Sequence, residues 1–206
     1  MPPKRPSAAV TGIVLAGGRA SRFGRDKLAE PVDGRPLLHH ALRALGRVVG
    51  DILLVIPPVG DPPSLPQGGV GPAPIRLVRD PEPFGGPLVA VAAALDATTS
   101  PRVLLVGGDM PELQSQVLSA LVAALDEHDA DVVLLEGPGP VQSMPAAIRA
   151  DAARLAAHAA LDDGARALRA LYDRVRVHTL AIAEWTSLDP DRQTLRDVDT
   201  PADLTG

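Results

Sequence analysis

The stretch that decides the fold is GIVLAGGRASRFGRDK, residues 12–27. Its first five residues form a short apolar run typical of a buried β-strand, and two adjacent glycines, Gly17 and Gly18, follow that run. Paired glycines let backbone N–H groups approach a bound anion closely. Residues 19–27 then carry four basic side chains against one acidic one, in a chain whose net charge is −5. The pattern predicts a strand followed by an anion-binding loop.

Short apolar runs alternate with helical patterns along the rest of the chain. The expected strands lie at residues 12–16, 51–56, 75–78, 103–106, 131–135, 175–180 and 195–198. The expected helices lie at residues 36–47, 87–95, 113–127, 150–158 and 165–172. Strands that are apolar on both faces and separated by helices are typical of a mostly parallel sheet covered on both sides. We therefore expect a single-domain, Rossmann-like α/β fold with helices on both faces of the sheet.

The chain of 206 residues is long enough for one α/β domain with a buried core. We expect that domain at residues 10–206, behind a flexible N-terminal tail at residues 1–9. Residues 57–74 are rich in Pro and Gly and follow no period, which disfavours a helix or a strand there. We expect this segment to be a mobile loop.

The composition excludes several classes of function. The chain has no Cys, which excludes disulfides, iron–sulfur clusters and cysteine nucleophiles. The net charge of −5 and the 2% of aromatic residues disfavour nucleic-acid binding. No apolar run reaches the ~20 residues of a membrane-spanning helix, and the N-terminus lacks the pattern of a signal peptide. We expect a cytoplasmic protein that binds neither nucleic acid nor a membrane.

Acidic residues follow several of the expected strands. Ligands of open parallel sheets bind beyond the carboxyl ends of the strands, where Asp80 and Asp109 follow the third and fourth expected strands. Asp197 and Asp199 lie on one face of the last expected strand, because side chains alternate along a strand. Asp109 together with Asp197 or Asp199 could hold a hard divalent cation such as Mg²⁺, which prefers one or two carboxylates, water and phosphate oxygens.

Three of these acids also have a structural explanation. Asp80 precedes a proline and is a typical turn residue. Asp109 could cap the helix that follows it, and Asp199 could form a capping turn with Asp203. Both explanations remain open for each residue at this point.

Lys27 is distinctive because the chain contains 18 Arg and only two Lys. A lysine in such a chain indicates a site that needs the compact point charge of an ammonium rather than the planar guanidinium of arginine. The loop before it lacks the G-x-x-x-x-G-K-S/T pattern of a P-loop and the G-x-G-x-x-G pattern of a dinucleotide fold. A basic loop, glycine turns and strand-end acids together favour phosphoryl or nucleotidyl transfer.

An ordered set of motifs carries a resemblance to a known family. The motifs are LAGGRASRFGRDK at residues 15–27, DGRPLL at 33–38, Asp80 with GPL at 86–88, GDMP at 108–111 and DVDTP at 197–201 with Asp203. This set resembles the molybdenum cofactor nucleotidyltransferases, and within them the guanylyltransferase branch. The resemblance implies a nucleotide-diphospho-sugar transferase-like fold.

The resemblance also implies roles for particular residues. The nucleotide would be bound by Leu15, Ala16, Gly17, Gly18, Lys27, Asp80 and Asp109. Lys27 and Arg22 would hold the triphosphate as catalytic cations. The implied cofactor is Mg²⁺, with Asp109 and Asp199 as its ligands. The family often has Asn where this chain has Asp197 and Asp199.

The implied reaction transfers GMP from GTP to the terminal phosphate of molybdenum-molybdopterin cofactor and releases pyrophosphate. The alternatives are a cytidylyltransferase or sugar-1-phosphate nucleotidyltransferase of the same fold, or a nucleotide-binding module without turnover. An acceptor pocket is expected from later loops and strands, around residues 142–147 and 185–187. An NAD(P) oxidoreductase is disfavoured by the missing glycine fingerprint.

Overall fold

The computed structural model describes residues 7–17, 26–137, 139, 141–200 and 202–203. The strands are β1 (Ser7–Leu15), β2 (Pro31–Val32), β3 (Arg35–Pro36), β4 (Val49–Ile56), β5 (Ile75–Arg79), β6 (Arg102–Gly107), β7 (Val132–Leu135), β8 (Ala146–Arg149) and β9 (Val177–Leu180). The helices are α1 (Leu37–Leu45), α2 (Pro87–Ala97), α3 (Ser115–Glu127), α4 (Ala150–Asp162), α5 (Arg169–Tyr172) and α6 (Ile182–Trp185). Short 3-10 turns lie at Lys27–Ala29 and Gln193–Leu195.

A seven-stranded sheet runs through the domain in the order β5-β4-β1-β6-β8-β7-β9. All neighbouring pairs are parallel except those of β8, which runs antiparallel to both β6 and β7. The strands β2 and β3 form a small antiparallel hairpin apart from this sheet. The mostly parallel α/β fold expected from the sequence is confirmed, with one reversed strand that the sequence analysis did not expect.

The side chains of β1 alternate between two cores on opposite faces of the sheet. Val10 and Val14 belong to the core that contains α1 and α3, whereas Ile13 belongs to the core that contains α2, α4 and α5. The alternation follows from the two-residue period of a strand. Gly12 lets α1 approach β1, because a Cβ at Gly12 would collide with the Leu45 side chain.

Two sequence predictions about the ends of the domain are wrong in part. Residues 7–9 were expected in the flexible tail, but they begin β1. Residues 1–6 of that expected tail lie outside the described residues. Residues 195–198 were expected to form a strand, but Leu195 ends a 3-10 turn and Val198 donates its N–H to the carbonyl of Asp109, 3.0 Å away.

The segment at residues 57–74 contains neither a helix nor a strand, as its composition predicts. It is nonetheless anchored, because Val70 and Ala73 are buried and the Val70 carbonyl lies against Gly46 behind α1. Its mobility stays a prediction. Within the part of the chain that the structure describes, no helix has the length and apolar character needed to cross a bilayer.

Candidate active site

The carboxyl ends of four parallel strands meet at one edge of the sheet. Ladder hydrogen bonds continue beyond the strand ends: Ala16 donates its N–H to the Val55 carbonyl at 2.8 Å, and Gly108 donates to the Leu15 carbonyl at 2.9 Å. The N–H of Asp80 likewise donates to the Ile56 carbonyl at 2.9 Å. These bonds place the segments that follow β1, β4, β5 and β6 side by side, where ligands of such sheets bind.

Lys27, Asp109 and Asp199 come together at this edge although they are far apart in sequence. The Nζ atom of Lys27 lies 2.8 Å from Oδ2 of Asp109 and 3.7 Å from Oδ1 of Asp199. The Lys27 side chain is 16% exposed, against 31% for Asp109 and 60% for Asp199. A partly buried ammonium therefore faces two carboxylates that open toward solvent. We name these three residues the charge cluster.

Local structure fixes the direction of Lys27. The 3-10 turn that begins at Lys27 is capped by Asp26, whose carboxylate accepts the N–H of Leu28 at 3.0 Å. Leu28 packs against the core that contains α1. Because Leu28 points into the protein, the preceding lysine can reach across the strand ends toward Asp109.

Two glycines at the end of β6 leave room for the Asp109 carboxylate. A Cβ placed at Gly107 would collide with Oδ1 of Asp109. A Cβ at Gly108 would lie 3.1 Å from the Leu15 carbonyl oxygen, a tight contact that would require the neighbouring backbone to shift slightly. The Gly-Gly pair thus permits the close approach of this loop to β1. The alternative that Asp109 caps a helix is wrong, since α3 begins at Ser115 with Gln114 at the cap position.

The segment around Asp199 is held in place by its backbone. The Asp203 carboxylate accepts the N–H groups of Asp199 and Thr200 at 3.0 and 2.7 Å, which is the capping turn that the sequence suggested. The Val198 N–H bonds to the Asp109 carbonyl. The turn uses the backbone of Asp199, and its side chain remains directed at Lys27. The structural and the functional explanation of Asp199 are therefore compatible.

Asp197 lies near the charge cluster and responds to it electrostatically. Burial raises the pKa of Asp197 above its usual value, and the negative charges of Asp199 and Asp109 raise it further, while Lys27 acts in the opposite direction. Among the described residues, no three His, Cys, Asp or Glu side chains form a cluster with the arrangement of metal ligands.

A cavity of about 640 Å³ opens beside the charge cluster, at the ends of β1, β4 and β5. Its lining is mostly apolar, and consists of Leu15, Gly17, Val55, Ile56, Pro57, Pro58, Val59, Asp80, Pro83, Phe84, Gly86, Pro87 and Ala90. Asp80 forms a turn as well, because its carboxylate accepts the Glu82 N–H at 3.1 Å. Leu15 lines the cavity, and its carbonyl accepts the N–H of Gly108, next to Asp109, so the cavity and the charge cluster adjoin at the end of β1.

The sequence analysis missed two side chains at the rim of this cavity. Phe84 is 80% exposed and Val59 is 79% exposed, although both are apolar. Phe84 also has a positive φ of 59°, which is costly for a residue with a bulky side chain. Strained backbone and exposed apolar surface at a cavity are typical of ligand sites. Neither residue belongs to a recognisable motif, so only the folded chain reveals them.

Several of the remaining expected residues lie either outside the described residues or in the interior of the protein. Gly18 and Arg22 lie outside the described residues. Trp185, expected near an acceptor pocket, is fully buried and donates its indole N–H to the Glu136 carbonyl at 3.0 Å. Ala146 and Ala147 are likewise fully buried in β8. These three side chains are therefore not accessible to an acceptor, and the acceptor pocket around residues 142–147 and 185–187 stays a prediction.

Known proteins resemble this chain over most of its length. A probable molybdenum cofactor guanylyltransferase of Chloroflexus aggregans is 30% identical over 206 aligned residues, which cover 95% of this chain and 91% of that protein. The molybdenum cofactor guanylyltransferase of Xanthomonas euvesicatoria is 37% identical over 84% of this chain and 82% of that protein. The match to the molybdenum cofactor guanylyltransferase of Burkholderia ambifaria, also 37% identical, spans 63% of this chain and 62% of that protein.

Solved structures show the same fold. Molybdopterin-guanine dinucleotide biosynthesis protein A of Archaeoglobus fulgidus superposes with a TM-score of 0.76 over 95% of both chains, at 18% identity. The 2-C-methyl-D-erythritol 4-phosphate cytidylyltransferase of Thermus thermophilus has a TM-score of 0.66 over 94% of both chains, at 19% identity. The family defined by the MobA-like NTP transferase domain matches residues 12–178. The chain belongs to the family of MobA-like NTP transferases.

Proposed function

We propose that this chain transfers GMP from GTP to the terminal phosphate of molybdenum-molybdopterin cofactor and releases pyrophosphate. The observation that carries the proposal is the charge cluster, in which Lys27 Nζ lies 2.8 Å from Asp109 and 3.7 Å from Asp199 beside an apolar cavity. The family supplies the reaction class, and the guanylyltransferase names of the relatives supply the substrates.

The cavity is the proposed site of the base and ribose. Its volume of about 640 Å³ lies within the range of ~300–1,000 Å³ that small-molecule sites usually have. We assign its contacts with the nucleoside to the backbone of Leu15, Ala16 and Gly17 and to the side chain of Asp80. The triphosphate would then extend over the glycine loop toward Lys27, with Gly18 and Arg22 as further contacts.

The charge cluster fits a bound Mg²⁺ by the chemistry of its donors. Asp109 and Asp199 present hard carboxylate oxygens to one and the same point, the Lys27 ammonium. A magnesium ion usually takes one or two protein carboxylates and completes its shell with water and substrate phosphates. We propose Asp109 and Asp199 as the two carboxylate ligands. When bound, the ion would supply positive charge to the phosphate oxygens.

The chemical step needs no covalent enzyme intermediate, because the acceptor phosphate is itself a nucleophile. One of its oxygens forms a new bond to the α-phosphorus of GTP, while the bond between that phosphorus and the bridging oxygen to the β-phosphate breaks. The bonding electrons leave with pyrophosphate. Lys27 and Arg22 stabilise the charge that develops on the leaving group. The site contributes positioning and preorganised charge, which suffice for this reaction class.

Incubation with each of the four nucleoside triphosphates, Mg²⁺ and molybdenum-molybdopterin cofactor tests the proposal, with pyrophosphate release and product mass as readouts. We expect turnover with GTP and a product that carries one added GMP. A preference for CTP would assign the chain to cytidylyl transfer instead. Tight GTP binding without pyrophosphate release would make it a binding module, and both results would contradict the proposal.

The proposal also covers the cellular location of the enzyme and the kind of partners it has. We place the enzyme in the cytoplasm, acting on two small-molecule substrates without nucleic acid or a membrane as partner. The acidic net charge of −5 supports the exclusion of nucleic acid as a partner.

A further inference from the structure

Arg79, the last residue of β5, holds one wall of the cavity. Its Nη1 atom donates to the carbonyls of Pro57 and Pro58 at 3.1 and 3.4 Å, and its Nη2 atom donates to the carbonyl of Gly60 at 3.2 Å. One guanidinium thus bonds three carbonyls within four consecutive residues. The planar fork of arginine suits such a task, since its donors have a fixed relative geometry.

The bonded carbonyls belong to the segment that forms the cavity wall. Pro57, Pro58 and Val59 line the cavity, and the Val59 residue is 79% exposed. The two prolines cannot continue the sheet ladder, because proline has no backbone N–H. The position of residues 57–60, which follow β4, therefore depends on contacts with other parts of the chain. The Arg79 guanidinium supplies three of these contacts.

We propose that Arg79 is a positioning residue for nucleotide binding. It fixes residues 57–60 as a preformed wall for the base and ribose and does so without touching the nucleotide. The inference rests on the proposed function, because it takes the cavity to be the nucleotide site. It goes beyond that function by assigning the affinity for the nucleotide to a side chain that lies behind the wall.

Without the Arg79 guanidinium, residues 57–60 would hold their binding conformation for only part of the time. Nucleotide binding would weaken in proportion to that fraction. If the unpinned segment holds its binding conformation for roughly a tenth of the time, the apparent Kd for GTP rises about tenfold. The charge cluster is untouched by the change, so kcat at saturating GTP stays within about twofold of wild type. The expected signature of Arg79→Ala is a raised Kd and KM with an unchanged kcat.

Two further variants separate positioning from other effects. Arg79→Lys keeps the positive charge but replaces the fork with a single ammonium. If Arg79 acted only by attracting the triphosphate, lysine would restore the wild-type Kd, whereas a positioning role predicts a Kd between those of the wild type and Arg79→Ala. Arg76→Ala is the matched control. Arg76 lies on the same strand but bonds Asp51 and the Ala97 carbonyl, away from the cavity.

The experiment measures Kd for GTP by calorimetry, together with KM and kcat for pyrophosphate release and the midpoint of urea unfolding. A tenfold rise in Kd for Arg79→Ala, an intermediate Kd for Arg79→Lys and a wild-type Kd for Arg76→Ala support the inference. An unchanged Kd in Arg79→Ala, full recovery in Arg79→Lys or an equal rise in Arg76→Ala overturns it. If Arg79→Ala does not fold, Arg79→Lys decides alone, because a wild-type Kd in that variant overturns the inference.

The wild type is the separate test of the proposed function. Failure of the wild-type protein to bind GTP would remove the proposed function itself. Normal wild-type binding together with any of the overturning results above would remove only the role of Arg79.

Discussion

The Gly107→Ala substitution is expected to impair the candidate site while it leaves the stability of the fold nearly unchanged. The added methyl group would collide with Oδ1 of Asp109, which is the free end of a side chain and can rotate away. Rotation of that carboxylate breaks the contact of Oδ2 with Lys27, which is 2.8 Å long. The substitution is therefore expected to displace Asp109 while the strand and its core contacts remain.

The two expected magnitudes differ strongly. The Lys27 and Asp109 side chains are 16% and 31% exposed, and breaking such a partly exposed ion pair costs about 1 kcal/mol or less. Replacing glycine with alanine at a compatible backbone conformation returns roughly 0.4–1 kcal/mol through the unfolded state, so the net change in unfolding free energy is near zero. Loss of one preorganised charge contact in a catalytic site costs ~3–4 kcal/mol of activation free energy. We expect kcat to fall by roughly two to three orders of magnitude.

The assay is pyrophosphate release at saturating GTP, combined with urea unfolding of each variant. Gly12→Ala is the opposite case, because its methyl group would collide with the fully buried Leu45 side chain. It should lose about 1–3 kcal/mol of unfolding free energy and keep its kcat. Gly139→Ala is the control for stability, since no atom of the described residues beyond its own chain neighbours lies within 4 Å of the added carbon. Full activity of Gly107→Ala, or a loss of stability as large as that of Gly12→Ala, would refute the reasoning.

Three other predictions follow from the charges. Lys27→Ala should lower kcat by about 100-fold or more, measured as pyrophosphate release from a variant with wild-type unfolding behaviour; a nearly wild-type kcat would reject the catalytic role. Asp109→Ala should remove activity at every Mg²⁺ concentration in a titration, and retained Mg²⁺-dependent turnover would place the metal ligands elsewhere. Hydrogen bonds from Arg176 lower the pKa of Asp131, so its carboxylate stabilises the fold above its ordinary pKa and this contribution is lost as the pH falls through the lowered value. Asp131→Asn should therefore flatten the acid side of a plot of urea midpoint against pH, and an unchanged plot would contradict this origin.

The approach of Lys27 to Asp109 could be anticipated from the sequence because it follows from a general property of parallel sheets. Residues after buried parallel strands collect at one edge, whatever their separation in the chain. The carboxyl-terminal halves of β1 and β6 are strongly apolar, so the carboxyl ends of both strands could be located to within one residue. The roles of these residues in binding and catalysis stay predictions, and Arg22 lies outside the described residues.

The wall and rim of the cavity could not be anticipated, because they depend on contacts between loops. In the sequence, Arg79 is an ordinary polar residue at the end of an edge strand. No neighbouring residue indicates that its side chain bonds three carbonyls about twenty residues earlier in the chain. Phe84 adopts a backbone conformation that its own type disfavours. Tertiary contacts outweigh local preference at both positions, and a single sequence records only the local preference.

The reversed strand β8 escaped prediction for a different reason. Ala146–Arg149 is a four-residue stretch with a single β-branched residue, and it continues directly into α4, so its composition resembles that of the helix. Its strand character comes from the space between β6 and β7, which it fills by pairing with both. The opposite error was made at residues 195–198, where a strand was expected and none forms. Leu195 and Val198 are buried there, but they do not join the sheet.

The reversal of β8 divides the ligand edge into two parts that can change independently. Because β7 runs toward that edge and β8 runs back from it, their connection at residues 136–145 lies on the same side as Asp109. A further parallel strand would have brought a helix to this position, whereas the hairpin connection is a loop whose length is not dictated by the sheet. The half of the edge built by β1, β4 and β5 carries the cavity, and it shares no strand with that loop. The loop between β7 and β8 can therefore change in length or sequence while the half of the edge that carries the cavity keeps its geometry.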